Sequence, residues 1–589
     1  MPFSLPPFLP IFPETILMRL FTLSIFMVLF FSSGAQQLLI RNTNVVDVEG
    51  RKVLAGQSVL VENGRISEIG RNLTAPQGAR VIDGNGKWLI PGLVDAHVHF
   101  SQSGGIYTRP DALDLRKYKP FSEEIAWTHN NMESFLRRYI LAGITTVVDV
   151  GSTVNFLKQR DSFSSKNWAP AVYMTGPLLT TWAPQAFKGL KDDDLFYEMK
   201  TVEDARSYVQ KQLPYKPDFI KIWYIVQGRN TDSAARKHLP LVQAVIEEAH
   251  AKGLRVAVHA TERITAQLAV EAGADLLVHG IEDEPVDAAF VRLLKSKKTV
   301  LSPTLVVAGN YHKVFGQEYI PTKHDHHYAH PTPLRSILDL KGIPDTNLTN
   351  RYRRYVQSSR KETARTDSLL RANTKKLLDG GVIIATGTDA GNIGTQHASS
   401  YFDELEAMRQ SGFDLWQLLQ ASTINGAKAI GKEAEFGSIK KGKVADMVLL
   451  TKNPLDSLSN WNSIEWVIRK GDALLNHHDV KPSPEQLADQ QLAAYNAHDL
   501  EAVLAPYADN VEIFDFGGKM MMSGKESMRK AYQFLNHTPK LYCRLINRIV
   551  QGNKVVDHEE VWGFGPKPVY AVAIYEIEGG KIRKVHFFE

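Results

Sequence analysis

Residues 89–100 read LIPGLVDAHVHF, an apolar run that ends in two histidines one residue apart. Alternate side chains of a β-strand share a face, so His97 and His99 leave the strand end in the same direction. Two imidazoles on one face, at the C-terminal end of a buried strand, form a chelating pair for a transition metal such as zinc. The rest of the ligand set is constrained in turn. The only cysteine is Cys543, so no internal disulfide and no thiolate cluster can form. Further ligands are expected among histidines, carboxylates and a modified lysine.

Apolar strand-like runs recur at 144–150, 171–175, 219–223, 256–259, 275–279, 300–305 and 382–386, with helical patterns such as 241–251 and 264–272 between several of them. With the opening run they number eight, and alternation of this kind predicts an α/β chain folded as a (β/α)8 TIM barrel with insertions. Functional groups in that fold sit at the C-terminal ends of the strands. The ends supply His97 and His99, Lys221 within FIKIW, His259, His279, and Asp389 within GTDAG. A single strand-end His is ordinarily structural, a single strand Lys can snorkel to water, and a single Asp can cap a helix. Their joint occurrence in barrel order points to a metal centre.

The flanks of this region have a different texture. Residues 36–90 carry short alternating strands with tight turns at Asn63-Gly64 and Asp83-Gly84, and 433–478 returns to the same pattern. Neither flank buries a sheet alone, so the two are predicted to pair as a split β-sandwich around a barrel at 91–432.

The segments PGLVDAHVH, FIKI, VAVHA, VHG and GTDAG together resemble the amidohydrolase superfamily, on the side of its imidazolonepropionase-like and prolidase-like members. The resemblance implies that His97, His99 and Asp389 bind one divalent metal and His259 and His279 a second, with zinc the expected ion. It further implies that Lys221, carboxylated on its amine, bridges them. A bridging hydroxide would then cleave a C–N bond of a small amide or dipeptide, with Asp389 handling the proton. Only a neutral amine reacts with CO₂, and burial in an apolar strand lowers a lysine's pKa. Ester or lactone cleavage uses the same machinery. Two alternatives stay open: a one-metal imidazolonepropionase-like hydrolase or deaminase, and a non-catalytic binding protein with a vestigial barrel. Substrate contacts are expected from the loops after the strands, with Tyr173, Trp223, Tyr224, Thr304 and His397 as candidates. Insertions at 101–131 and 309–359 fall on the same face and are candidate lids. The second contains a His-rich run, 323–330, read as a polar loop.

The ends of the chain add two further expectations. Met18-Arg19, a run of about a dozen apolar residues and Ser32-Ser33-Gly34-Ala35 have the layout of an export signal cleaved after Ala35. The mature protein is therefore expected in the periplasm or secreted, without a membrane anchor. After a Pro-containing linker at 479–483, residues 484–589 read as two helices, then strands, with a helix opened at Ser523. This segment resembles the SnoaL-like, nuclear transport factor 2-like α+β cone, which implies a homodimer or a ligand-holding module. Asp515, His558, Trp562 and His586 are its candidate pocket residues. A formal charge of +5 on 589 residues leaves no nucleic-acid footprint.

Overall fold

The structure is a computed structural model that describes residues 37–228, 230–475 and 482–588. The expected export signal at 1–35 and residues 479–481 of the expected linker lie outside the described residues.

The two flanking segments join in one eight-stranded sheet. Its seam is the antiparallel pairing of Trp88–Pro91 with Met447–Leu450, which sets Leu89 opposite Leu449. Trp88–Pro91 also pairs in parallel with Leu38–Asp47. One strand thus serves both halves, and a continuous ladder replaces the expected pair of facing sheets. Leu38, Val59, Leu89, Met447 and Ile468 form the core of this unit.

Between the flanks lies a parallel α/β region. Leu93–Val98, Ile144–Asp149 and Ala171–Met174 make a three-stranded parallel sheet. A second parallel sheet runs in the order Phe196–Glu198, Leu178–Thr180, Phe219–Trp223, Arg255–His259, Leu276–Val278 and Val300–Ser302. Strands buried on both faces need no alternation, which is why they read as apolar runs. The expected eighth strand, 382–386, does not form a ladder. It links the sheets by single contacts: Leu301 N donates to Ile383 O and Ala96 N to Thr386 O. Gly387, Asp389 at φ +60° and Gly391 at φ +109° interrupt extension there. The observed architecture is therefore two parallel sheets bridged by an irregular segment, without continuous closure.

The second insertion is helical, and so is most of its His-rich run, which was expected as a polar loop. The insertion comprises Val307–Phe315, Lys323–Tyr328, Pro331–Asp339 and the start of the 34-residue helix Thr346–Asp379. Thr322 and Asp325 form a capping box that opens the His-rich helix. Apolar side chains of both insertions, among them Ile106, Leu115, Phe315 and Ile337, share one core that extends to Ala493 of the C-terminal unit. At least part of each expected lid is thus packed scaffold.

The C-terminal unit packs Pro484–Asn496 and Leu500–Leu504 against a six-stranded sheet. That sheet is antiparallel except where Tyr507–Phe514 meets Lys581–Phe588. Its first helix lies on Pro331–Asp339 of the insertion. Asp489 on that helix is fully buried and ion-paired to Arg335 at 2.9 Å and Arg548 at 2.5 Å. Arg548 pairs in turn with Asp557, and Tyr542 donates to Asp339.

Candidate metal centre

His97 lies at the end of the strand Leu93–Val98 and His99 just past it, and the chain returns beside them through Gly387-Thr388-Asp389. A Cβ on Gly387 would lie 2.7 Å from His97 Cβ and 2.2 Å from Ser302 Oγ, so only glycine lets this segment approach. Asp389 N donates to His97 O at 2.7 Å, which fixes the register of the approach. The result is a convergence: Asp389 Oδ1 lies 3.1 Å from Nε2 of both His97 and His99. Ligand atoms of these three buried residues all lie within 4.8 Å of one another.

His99 Nδ1 is 2.7 Å from Gly151 O, and a carbonyl can only accept. The proton therefore sits on Nδ1, and Nε2 turns a lone pair towards the carboxylate. His97 Nδ1 and Asp389 Oδ1 have no hydrogen-bond partner among the described residues. Acceptors facing one another in a dry site need a cation between them, so the residues fit a metal ion. Burial lowers His97 to about 4 and takes His259 and His279 well below the ordinary imidazole range. Neutral imidazole is the ligand form. Burial alone would raise Asp389, but His97 and His99 hold it well below the usual carboxylate range.

The other two histidines adjoin this cluster. The His97 and His279 rings are 5.0 Å apart, and His279 and His259 4.4 Å. Lys221 is 1% exposed on Phe219–Trp223, paired in register with Ala257. Burial lowers its amine to about 7. No carboxylate pairs with it among the described residues, so a neutral form is available at ordinary pH.

The five candidate substrate contacts divide. The Trp223 ring stands 5.9 Å from His259 and forms an aromatic wall with Phe196 and Trp182. Thr304 Oγ1 is 2.7 Å from His279 Nδ1 and so orients that ring. The other three are turned elsewhere. Tyr173 stacks on Phe436, Tyr224 donates to Ala235 O, and His397 is held by Tyr139 and Gln102 O while stacked on Phe100. The polar atoms of Tyr224 and His397 are thereby used within the core.

Sequence reading passed over the supports. Asp95 is fully buried and accepts from Thr388 N, Thr388 Oγ1 and His97 N. Asp149 accepts from Phe100 N and Gly151 N. Burial raises these carboxyls to about 7 and about 6. The DAHVH spacing and the Asp149-Val-Gly end of the next strand were the available signals. Arg109, paired to Asp111, reaches Asn392, which also accepts from Tyr311 and donates to Asp389 O. A cleft of about 670 Å³ opens beside Glu282 and Leu305, and none of the six candidate ligands lines it.

None of the four candidate pocket residues of the C-terminal unit is buried. His558 is exposed and faces the Tyr570 ring, His586 stacks on Phe514, Trp562 is 41% exposed, and Asp515 closes a turn with Lys519 N. Both neighbours of His558 are interior carboxyls: Asp557, paired to Arg548, and Glu559, contacted by the Tyr575 hydroxyl.

Residues 88–474 match the profile of the amidohydrolase family, and 488–585 that of the SnoaL-like domain. A dihydroorotase of Pelobacter propionicus is 45% identical over 67 residues, which are 11% of this chain and 16% of that protein. Among solved structures, a Xaa-Pro dipeptidase with bound methionine superposes with a TM-score of 0.55 at 22% identity, over 75% of this chain and all of that one. Molinate hydrolase gives 0.57 at 20%, over 76% and 96%, and ochratoxinase of A. niger 0.55 at 17%, over 75% and 96%. At these identities the likeness concerns the fold.

Proposed function

The chain belongs to the amidohydrolase family, and from that premise we propose that it is a binuclear metal hydrolase of a small amide or dipeptide, its parallel strands forming a (β/α)8 barrel. The observation that carries the reading is the convergence of His97 Nε2, His99 Nε2 and Asp389 Oδ1 at 3.1 Å in a buried site. His97, His99 and Asp389 would hold one divalent ion, His259 and His279 a second, with Lys221 bridging as its carbamate. A neutral, buried Lys221 amine has the reactivity that carbamate formation requires. The metals, zinc being the expected ion, would supply an acidified water and polarise the scissile carbonyl. Asp389, ionised by its surroundings, accepts a proton from the attacking water at a carboxylate oxygen and returns it to the leaving nitrogen. Trp223 flanks the site and excludes water on the His259 side. The prolidase-like solved structures support a dipeptide as the first substrate class to test.

Metal content of the purified chain, expressed with bicarbonate, tests the reading. About two divalent ions per chain, with turnover of members of a dipeptide and amide library, is the expected result. About one ion would favour the one-metal alternative, and none after reconstitution would end the hydrolase reading. We also propose that the chain is exported, on the strength of the signal-like residues 18–35. N-terminal sequencing of the mature protein should begin at Gln36, and a retained Met1 or Met18 would refute export with cleavage.

A further inference from the structure

Asp389 holds its backbone at φ +60°. That left-handed conformation is uncommon for a residue with a Cβ and holds where local hydrogen bonds fix it. The turn delivers its carboxylate oxygen to within 3.1 Å of both His97 and His99. The group that closes the turn is Asn392, which is 2% exposed. Its side-chain nitrogen donates to Asp389 O at 3.1 Å. Its backbone N–H meets the same carbonyl at 3.4 Å, a weaker contact.

The orientation of the Asn392 amide is fixed from its other end. Arg109 Nη1 donates to Oδ1, and so does the Tyr311 hydroxyl at 2.8 Å. A guanidinium can only donate, so the amide oxygen faces Arg109 and the NH₂ is left for Asp389 O. Arg109 is itself clamped, with Nε and Nη2 on the two oxygens of Asp111 at 2.8 and 2.7 Å. These holders come from both insertions. Arg109 and Asp111 lie in the first, and Tyr311 on the helix Val307–Phe315 of the second. The loop that carries Asn392 is seated on the residues after H-x-H. Gly104 N donates to Gly391 O at 2.8 Å, and Gly394 N to Gly104 O at 2.9 Å. Both insertions therefore end on the amide that holds the carbonyl of a candidate ligand.

We propose that Asn392, aimed by Arg109 and Tyr311, is a positioning residue that sets the direction of the Asp389 carboxylate, so that the two insertions act on metal binding and proton transfer through a single amide. This rests on the reading of Asp389 as ligand and proton carrier. Asn392 acts through the Asp389 carbonyl, so its effect falls on metal affinity and kcat rather than on KM.

Asn392→Asp is the discriminating variant. It keeps the shape and both acceptor contacts, and its added charge falls beside the Arg109 guanidinium. It loses only the donor, setting an oxygen against Asp389 O. In the metal-free chain, hydrogen–deuterium exchange of the peptide spanning residues 388–396 should be faster than in the parent. Metal affinity should fall roughly tenfold in competition with a chromogenic chelator, and the visible spectrum of the cobalt(II)-loaded chain should change. With a dipeptide that the parent turns over, kcat should fall roughly tenfold with KM nearly unchanged. Tyr311→Phe removes one oxygen and should move the same readouts in the same direction by less, which decides the matter if Asn392→Asp folds poorly. Unchanged exchange in the metal-free chain would overturn the proposal, and so would a lowered Tm with parental metal affinity and cobalt spectrum. The exchange readout needs no metal, so the parent's own metal content judges the hydrolase reading separately.

Discussion

Thr304 has its backbone in the left-handed region, at φ +49°, and its hydroxyl on His279 Nδ1. A β-branched residue there is strained, and what it secures is the direction of a candidate ligand. Thr304→Val keeps the volume and removes the hydroxyl. Metal affinity should fall roughly 10- to 100-fold, read by competition with a chromogenic chelator; unchanged affinity would deny His279 a ligand role. Glu559 gives a second prediction. Burial raises its carboxyl to about 8 in the folded state, against 4.5 for the free side chain. Between those values the unfolded chain binds fewer protons than the folded one, so stability falls as pH rises from about 4.5 to about 8. Glu559→Gln should flatten that decline, seen as a Tm difference from the parent that grows with pH across the window. A constant difference would mean that Glu559 is not the titrating group.

At the level of elements, the segment Val382–Asn392 matters more than its lack of strand pairing suggests. Its bonds to Leu301 and Ala96 join the two parallel sheets, and its irregular backbone delivers Asp389 to the histidines. Gly387→Ala places a methyl against Ser302 Oγ and His97. Overpacking of this kind costs about 1–3 kcal/mol. Because the clash falls on a ligand-bearing strand, bound metal should fall together with Tm. Loss of Tm with full metal content would show that the approach of this segment is not critical. The same scale explains the misplaced candidates of the C-terminal sheet. His558 and Glu559 are adjacent on Lys554–Trp562, and neighbours on a strand face opposite ways. A reading by residue type selects the histidine, whereas the pleat puts the glutamate inside.

Across the whole molecule, the charge network around Asp489 couples the C-terminal unit to the insertion. Asp489→Ala takes one carboxylate from each of the half-buried Arg335 and Arg548, which keep Asp339 and Asp557, and so loosens the contact between the two parts. Calorimetry should then resolve an early transition of the C-terminal unit. A single transition displaced as a whole would mean that the two parts unfold together regardless. The outer face of the C-terminal sheet exposes Ile549, Trp562 and Tyr570, at 59%, 41% and 54%. Exposed apolar groups gathered on a sheet face favour burial against a second copy. Light scattering should report a dimer that Ile549→Glu combined with Tyr570→Glu converts to monomer; a monomeric parent chain would refute it.

The metal-centre candidates were legible because their signals are local. H-x-H needs only the strand period, and an apolar strand around Lys221 is itself the desolvating environment. The opening of the first C-terminal helix at Pro484 was likewise readable, since Ser483, Pro484 and Gln486 are start signals. Tertiary structure decided whatever depends on partners distant in sequence. Tyr173, Tyr224 and His397 have the right chemistry for substrate, but Phe436, Ala235 and Tyr139 claim them. The His-rich run looked like a polar loop until its cap and its packing made it a helix at an interface. No local pattern marks Arg138 as held by the carbonyls of Tyr328 and Ala329 with no carboxylate partner among the described residues, because a missing partner is a property of the assembled interior, where the price of a buried charge is set by everything around it.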